Sequence, residues 1–145
     1  MLKPSLDDVR ALAAKGEGNV VPVFREVPAD MDTPVTAYLK VARGSHSFLL
    51  ESVEGGERLA RYSFIGTEPY RVNTTGRGPG QEAVDPLIAI EEELSQFRPV
   101  KVEGLPRFHG GAVGYLAYEV ARYYERLPMP ESDPQRLPES VFMFC

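Results

Sequence analysis

One cysteine, two histidines and no long apolar run set the first limits on this 145-residue chain. The lone Cys145 excludes an internal disulfide framework and any multi-cysteine metal site, and it fits a reducing compartment. His46 and His109 stand far apart in sequence, each beside an expected strand, and read as structural or solvated rather than catalytic. Apolar stretches such as Phe48-Leu49-Leu50 fall far short of a membrane span. The N-terminus, MLKPSLDDVR, has a proline and two early acids where a signal peptide needs an apolar core, so a cytoplasmic location is expected. There is no G-x-x-x-x-G-K-[ST] loop, no H-E-x-x-H and no G-x-S-x-G. The Gly76, Gly78 and Gly80 stretch follows no strong buried strand and contains Pro79, which argues against a phosphate cradle. Sixteen basic against 21 acidic side chains give a formal charge of −5, with the cations scattered. No basic surface for nucleic acid or for an anionic membrane is therefore expected.

What is present suits one soluble domain. Hydrophobic residues make up 43% and charged residues 26% of the chain, ordinary for a globular protein. Thirteen Gly and 13 Pro disfavour long helices and predict short elements joined by turns. Ser5 with Asp8 reads as a capping box, opening a helix that carries Leu6, Val9, Leu12 and Ala13 and stops at Gly16. Val20–Phe24 is β-branched and apolar, but Pro22 restricts it to an edge strand or a strand start. Thr33-Pro34 is an N-cap followed by an N1 proline, with Val35, Tyr38, Leu39 and Ala42 as the expected buried stripe. The segment 47–53 has a continuous apolar centre, which suits a strand covered on both faces. Residues 61–65 and 70–74 read as further strands, favouring an antiparallel meander, with a loop over 76–84. Asp85-Pro86 repeats the cap signature before a helix whose inner face is Leu87, Ile90, Leu94 and Phe97, and Glu91-Glu92-Glu93 reads as a solvated face rather than a metal site. Residues 108–115 are strand-like, and their three glycines imply close backbone approach. A short helix is expected over 117–124, and 141–145 reads as a buried strand with Cys145 as a small hydrophobe. The expected class is α+β: a mixed, largely antiparallel sheet with several flanking helices. The abrupt apolar ending leads to the expectation of a piece of a longer protein.

Two constellations carry chemistry. Leu49-Leu50-Glu51-Ser52 places an anion and a hydroxyl at the rim of an apolar strand, with Arg61 on the following strand. An acceptor for an ammonium and a guanidinium fork for a carboxylate are what hold a zwitterion. Glu51 and Ser52 point to opposite faces of a regular strand, so both line one pocket only at a strand end or bulge. From spacing alone a surface ion pair between Glu51 and Arg61 at a hairpin is the favoured reading. The second constellation, FHGGAVGYLAYE at 108–119, combines small residues with rigid rings, and tight core packing accounts for it better than a site would.

Three blocks, VVPVFREVPADMDTPVTAYLK (20–40), SFLLESVEGGERLARYSFIG (47–66) and LPRFHGGAVGYLAYEVARYYERLP (105–128), resemble in order and spacing the N-terminal region of anthranilate synthase component I, a chorismate-utilising family. The same domain of aminodeoxychorismate synthase component I looks similar in these blocks, and a stand-alone amino-acid-binding module is the alternative from a different class. The resemblance implies that 1–145 is an N-terminal regulatory domain within a layered α/β sandwich, lacking its C-terminal chorismate-binding catalytic domain. It implies a parent lyase that forms anthranilate and pyruvate from chorismate and glutamine-derived ammonia, with a glutamine amidotransferase subunit (component II) as partner. Mg²⁺ and the catalytic residues would belong to the missing part. Carried over onto this sequence, Ser52, Glu51 and Arg61 would contribute to a tryptophan feedback-inhibition site. No turnover is expected from residues 1–145 alone.

Overall fold

Short elements capped by local side chains dominate the computed structural model, which describes residues 1–51, 62–76, 84–128 and 135–145. Helix α1 (Leu6–Lys15) starts at the expected capping box. The Asp8 amide donates to Ser5 Oγ, and the Asp8 carboxylate accepts from the Ser5 amide at 3.1 Å. Bonds from the Ser5 side chain and then its backbone hold the Asp8 carboxyl below the usual carboxylate range. Helix α2 (Pro34–Val41) begins at Thr33, whose hydroxyl accepts from the Thr36 amide while Thr36 Oγ1 accepts from the Thr33 amide at 2.8 Å. Helix α3 (Pro86–Ser95) follows Asp85, whose carboxylate accepts from the Leu87 amide at 2.9 Å. All three starts lie where the cap residues predict them.

Five strands form two antiparallel sheets. Strands β1 (Ser47–Glu51) and β2 (Ser63–Thr67) pair with Leu50 opposite Phe64 and Glu51 opposite Ser63. Strands β3 (Arg71–Thr75), β4 (Ala112–Leu116) and β5 (Ser140–Phe144) form the second sheet, with β5 between the other two. A six-residue 3₁₀ helix, Tyr118–Tyr123, follows β4 where a short helix was expected. These antiparallel sheets and flanking helices constitute an α+β fold.

The expected meander is corrected: β2 does not pair with β3. The three residues between them include Glu68 in a left-handed conformation (φ 50°) and Pro69. That conformation turns the chain out of the first sheet instead of folding it back as a hairpin, and β3 finds β5 in the second. Val20–Phe24 is likewise not a strand. Pro22 has no N–H to offer a ladder, and the segment splits its pairing on either side of it. The Val100 amide donates to the Val20 carbonyl at 2.8 Å, while Phe24 exchanges two bonds with Lys3.

Small residues permit two close approaches. A Cβ on Gly114 would lie 1.9 Å from the Val141 carbonyl oxygen, so the β4–β5 pairing requires glycine there. In the first sheet the Phe48 ring covers Gly66 directly across the ladder, in space that a Cβ would fill. The core is centred on β5: Phe144 is fully buried and Ser140 nearly so, with Ser140 Oγ 2.8 Å from Thr75 Oγ1 across the pair.

Two carboxylates are buried in the second sheet's surroundings. Glu139, 5% exposed, accepts from Arg122 and from the Tyr123 hydroxyl at 2.9 Å. Glu93, 7% exposed, pairs with Arg71 and accepts from Tyr70 Oη at 3.3 Å. The reading of Glu91-Glu92-Glu93 as a solvated face thus fails at Glu93, because β3 presents a guanidinium and a phenol to it. The apolar stripes fare differently. Leu39 is 72% exposed, and Val35, Leu87, Leu94 and Phe97 are also exposed, so neither the α2 stripe nor the α3 face closes over a core here. Leu50 is 47% exposed, leaving β1 covered on one side only rather than on two. Cys145 is exposed rather than buried, since β5 ends just before it.

Candidate functional site

Glu51 is the last residue of β1, exposed and directly across from Ser63. Alternation along the strand puts Glu51 on the face with Ser47 and Leu49, and Leu50 on the other face with Phe48. Helix α2 packs on the Ser47 side, where Tyr38 Oη and Ser47 Oγ lie 2.8 Å apart. The Leu50 face is aromatic: Phe64 opposite it stacks edge to face on Phe108 with ring centroids 5.2 Å apart, and Tyr62 lies 6.1 Å from Phe64. The Phe64–Phe108 contact joins the two sequence blocks that separately suggested chemistry, the one around Glu51 and the one beginning at Phe108. Ser52 and Arg61 fall outside the described residues, as does most of the 76–84 loop.

A concavity elsewhere was not anticipated from the sequence. A cavity of about 550 Å³ opens between Val20 and Pro22, the end of α3 at Leu94 and Phe97, and the turn His109–Gly111. Tyr70 and Arg107 also line it. Tyr70 and Phe97 meet edge to face at 5.7 Å. Burial, followed by the nearby Glu93 carboxylate, raises the Tyr70 phenol above its ordinary pKa. His109 Nδ1 lies 3.0 Å from the Pro106 carbonyl oxygen. The carbonyl can only accept, so Nδ1 carries a proton in this contact. The only sequence signal for this cavity is the HGG run, whose glycines leave the turn without side chains.

Among the described residues, no group of three His, Cys, Asp or Glu side chains could hold a metal ion. No helix among these residues is long and apolar enough to cross a membrane.

Two small antiparallel sheets with buried, satisfied carboxylates at one and open apolar faces at the other define an α+β segment with more apolar surface than its core accounts for. No family model matches the sequence. Individual relatives do. The chain is 46% identical over 142 residues to the probable anthranilate synthase component 1 of Schizosaccharomyces pombe, covering 96% of this chain and 28% of that protein. It is 43% identical over 154 aligned positions to anthranilate synthase component 1 of Acetivibrio thermocellus (99% and 31%) and 39% identical to that of Saccharomyces cerevisiae (99% and 30%). Over nearly its whole length the chain is similar to a part of these anthranilate synthase component 1 proteins. It spans about 30% of the length of these curated relatives.

Proposed function

We propose that residues 1–145 are the N-terminal regulatory domain of an anthranilate synthase component I, a cytoplasmic enzyme. The parent would convert chorismate and ammonia, delivered by a glutamine amidotransferase component II, to anthranilate and pyruvate. The observation that carries this reading is identity of 39–46% across 96–99% of the chain to proteins of that name, each about three times longer. The C-terminal catalytic part would hold chorismate and Mg²⁺, the metal offsetting the substrate's carboxylate charge when bound. It would also cover the apolar side chains of α2 and β1.

In this reading Glu51, Ser52 and Arg61 grip the amino-acid end of tryptophan. Support comes from chemistry and placement: Glu51 ends its strand, and the opposite face of that strand carries Leu50 and, across the ladder, Phe64, apolar groups suited to a hydrophobic side chain. Tryptophan inhibits only if it binds the low-activity state more tightly, so the site acts by linkage and not by touching the reaction.

The test is steady-state kinetics of the longer parent enzyme. Ser52→Ala should weaken tryptophan inhibition by about tenfold, the loss of one hydrogen bond to a charged group, while leaving uninhibited turnover intact. Parallel loss of turnover and inhibition would overturn the assignment. Residues 1–145 alone, given chorismate, Mg²⁺ and ammonia, should yield no anthranilate fluorescence.

A further inference from the structure

We propose that the cavity bounded by Val20, the end of α3 and the His109–Gly111 turn binds a planar aromatic monocarboxylate. Its volume of about 550 Å³ falls within the span of small-molecule sites, roughly 300–1,000 Å³. The walls are apolar, and the edge-to-face pair Tyr70–Phe97 offers ring surfaces against which a flat aromatic body packs. The polar groups are sparse and of one kind. Arg107 is exposed and makes no hydrogen bond or ion pair with any described residue, in contrast to Arg71 and Arg122, each held by a buried carboxylate. Its free guanidinium fork matches a carboxylate in two parallel bonds.

His109, held through Nδ1 by the Pro106 carbonyl, has no other hydrogen-bond partner among the described residues. None of the described residues lining the cavity is an Asp or Glu; the Glu93 carboxylate beside Tyr70 is itself held by the Tyr70 hydroxyl and Arg71. An ammonium accordingly finds no carboxylate on the walls. The cavity therefore selects simple aromatic acids and rejects zwitterionic amino acids, which sets it apart from the proposed tryptophan site at Glu51. The class includes the product of the proposed parent reaction. The inference itself rests only on the cavity.

The probe is 2-aminobenzoate, whose fluorescence changes on entering an apolar site and is read without tryptophan background, since the chain has none. Titration of the 145-residue chain should give saturable one-to-one binding, displaced by benzoate but not by neutral benzamide or by tryptophan. Arg107→Gln, a change at an exposed side chain without a partner among the described residues, should weaken binding about tenfold or more with an unchanged circular dichroism spectrum. Val20→Phe should abolish binding by filling the space. Absence of saturable binding, displacement by benzamide or tryptophan as effective as by benzoate, or unchanged affinity in Arg107→Gln would overturn the proposal. Binding to residues 1–145 that disappears in the longer parent would also overturn it, showing that protein occupies the space there. None of these outcomes depends on Ser52→Ala, so the two assignments fail separately.

Discussion

The two sheets solve opposite problems with the same strand length. In the three-stranded sheet, β5 has a neighbour on each side, Phe144 is sealed, and the carboxylates beside it are matched by Arg71, Tyr70, Arg122 and Tyr123. In the two-stranded sheet, Leu50 and Tyr62 stay about half exposed, and α2 presents Leu39 and Val35 to solvent. Two strands alone rarely reach independent stability in water without further packing. The three-stranded sheet behaves as a finished core, and the two-stranded sheet as a surface awaiting cover.

Truncation separates them most sharply. Phe144→Ala removes a fully buried ring from the middle strand and should cost about 4 kcal/mol of unfolding free energy. Urea denaturation reads this directly, and a loss under 1 kcal/mol would deny β5 its central place. The next largest effect is expected at the buried pair. Glu139→Gln removes the buried charge that Arg122, itself only partly exposed, meets at this position, and should cost about 2 kcal/mol. Adding Arg122→Leu should recover part of that loss, a double-mutant cycle that distinguishes ion pairing from simple packing.

Leu50→Ala in the open sheet should change stability of this chain by under about 0.5 kcal/mol, as for other half-exposed positions. The same substitution in the longer parent should cost several times more if the proposed C-terminal domain covers this face. Equal, small losses in both proteins would leave the face uncovered and remove one support for the proposed domain arrangement.

How far the sequence foretold this contrast depended on the range of the interaction. Ser5 with Asp8, Thr33 with Pro34, and Asp85 with Pro86 act over three residues or fewer, and each helix starts where its cap says. Close approach at Gly114 was equally legible, since a glycine within an apolar strand has few other uses. Strand pairing was not, because β3 meets β5 across some 65 residues and nothing local announces it. Glu93 shows the same limit: its neighbours in sequence are acidic and solvated, but its partners Tyr70 and Arg71 arrive from a distant strand. At the candidate sites, Glu51 could be placed at a strand end from its motif, whereas the cavity at Arg107 and His109 depends on Val20, Leu94 and Tyr70 converging from three separate segments.

The finest distinction lies at high pH, where Tyr70 ties the closed sheet to the open cavity. Its phenol is raised above the ordinary value of 10.0, by burial first and then by the Glu93 charge. A group whose folded pKa is raised stabilises the fold fully below its unfolded pKa, and that contribution is lost as pH climbs through the folded value. Stability should therefore fall along an alkaline limb beginning near pH 10, as ionised Tyr70 would face the carboxylate it now donates to. Tyr70→Phe keeps the ring against Phe97 and Phe144 but removes the titrating proton, so the limb should flatten while stability at neutral pH changes little. Tyr124, whose hydroxyl donates to Asp85 and whose pKa is raised by that bond, titrates in the same direction. A Tyr124→Phe comparison assigns the share of each. An alkaline limb that persists in both variants would place the sensitivity outside the Tyr70–Glu93 contact.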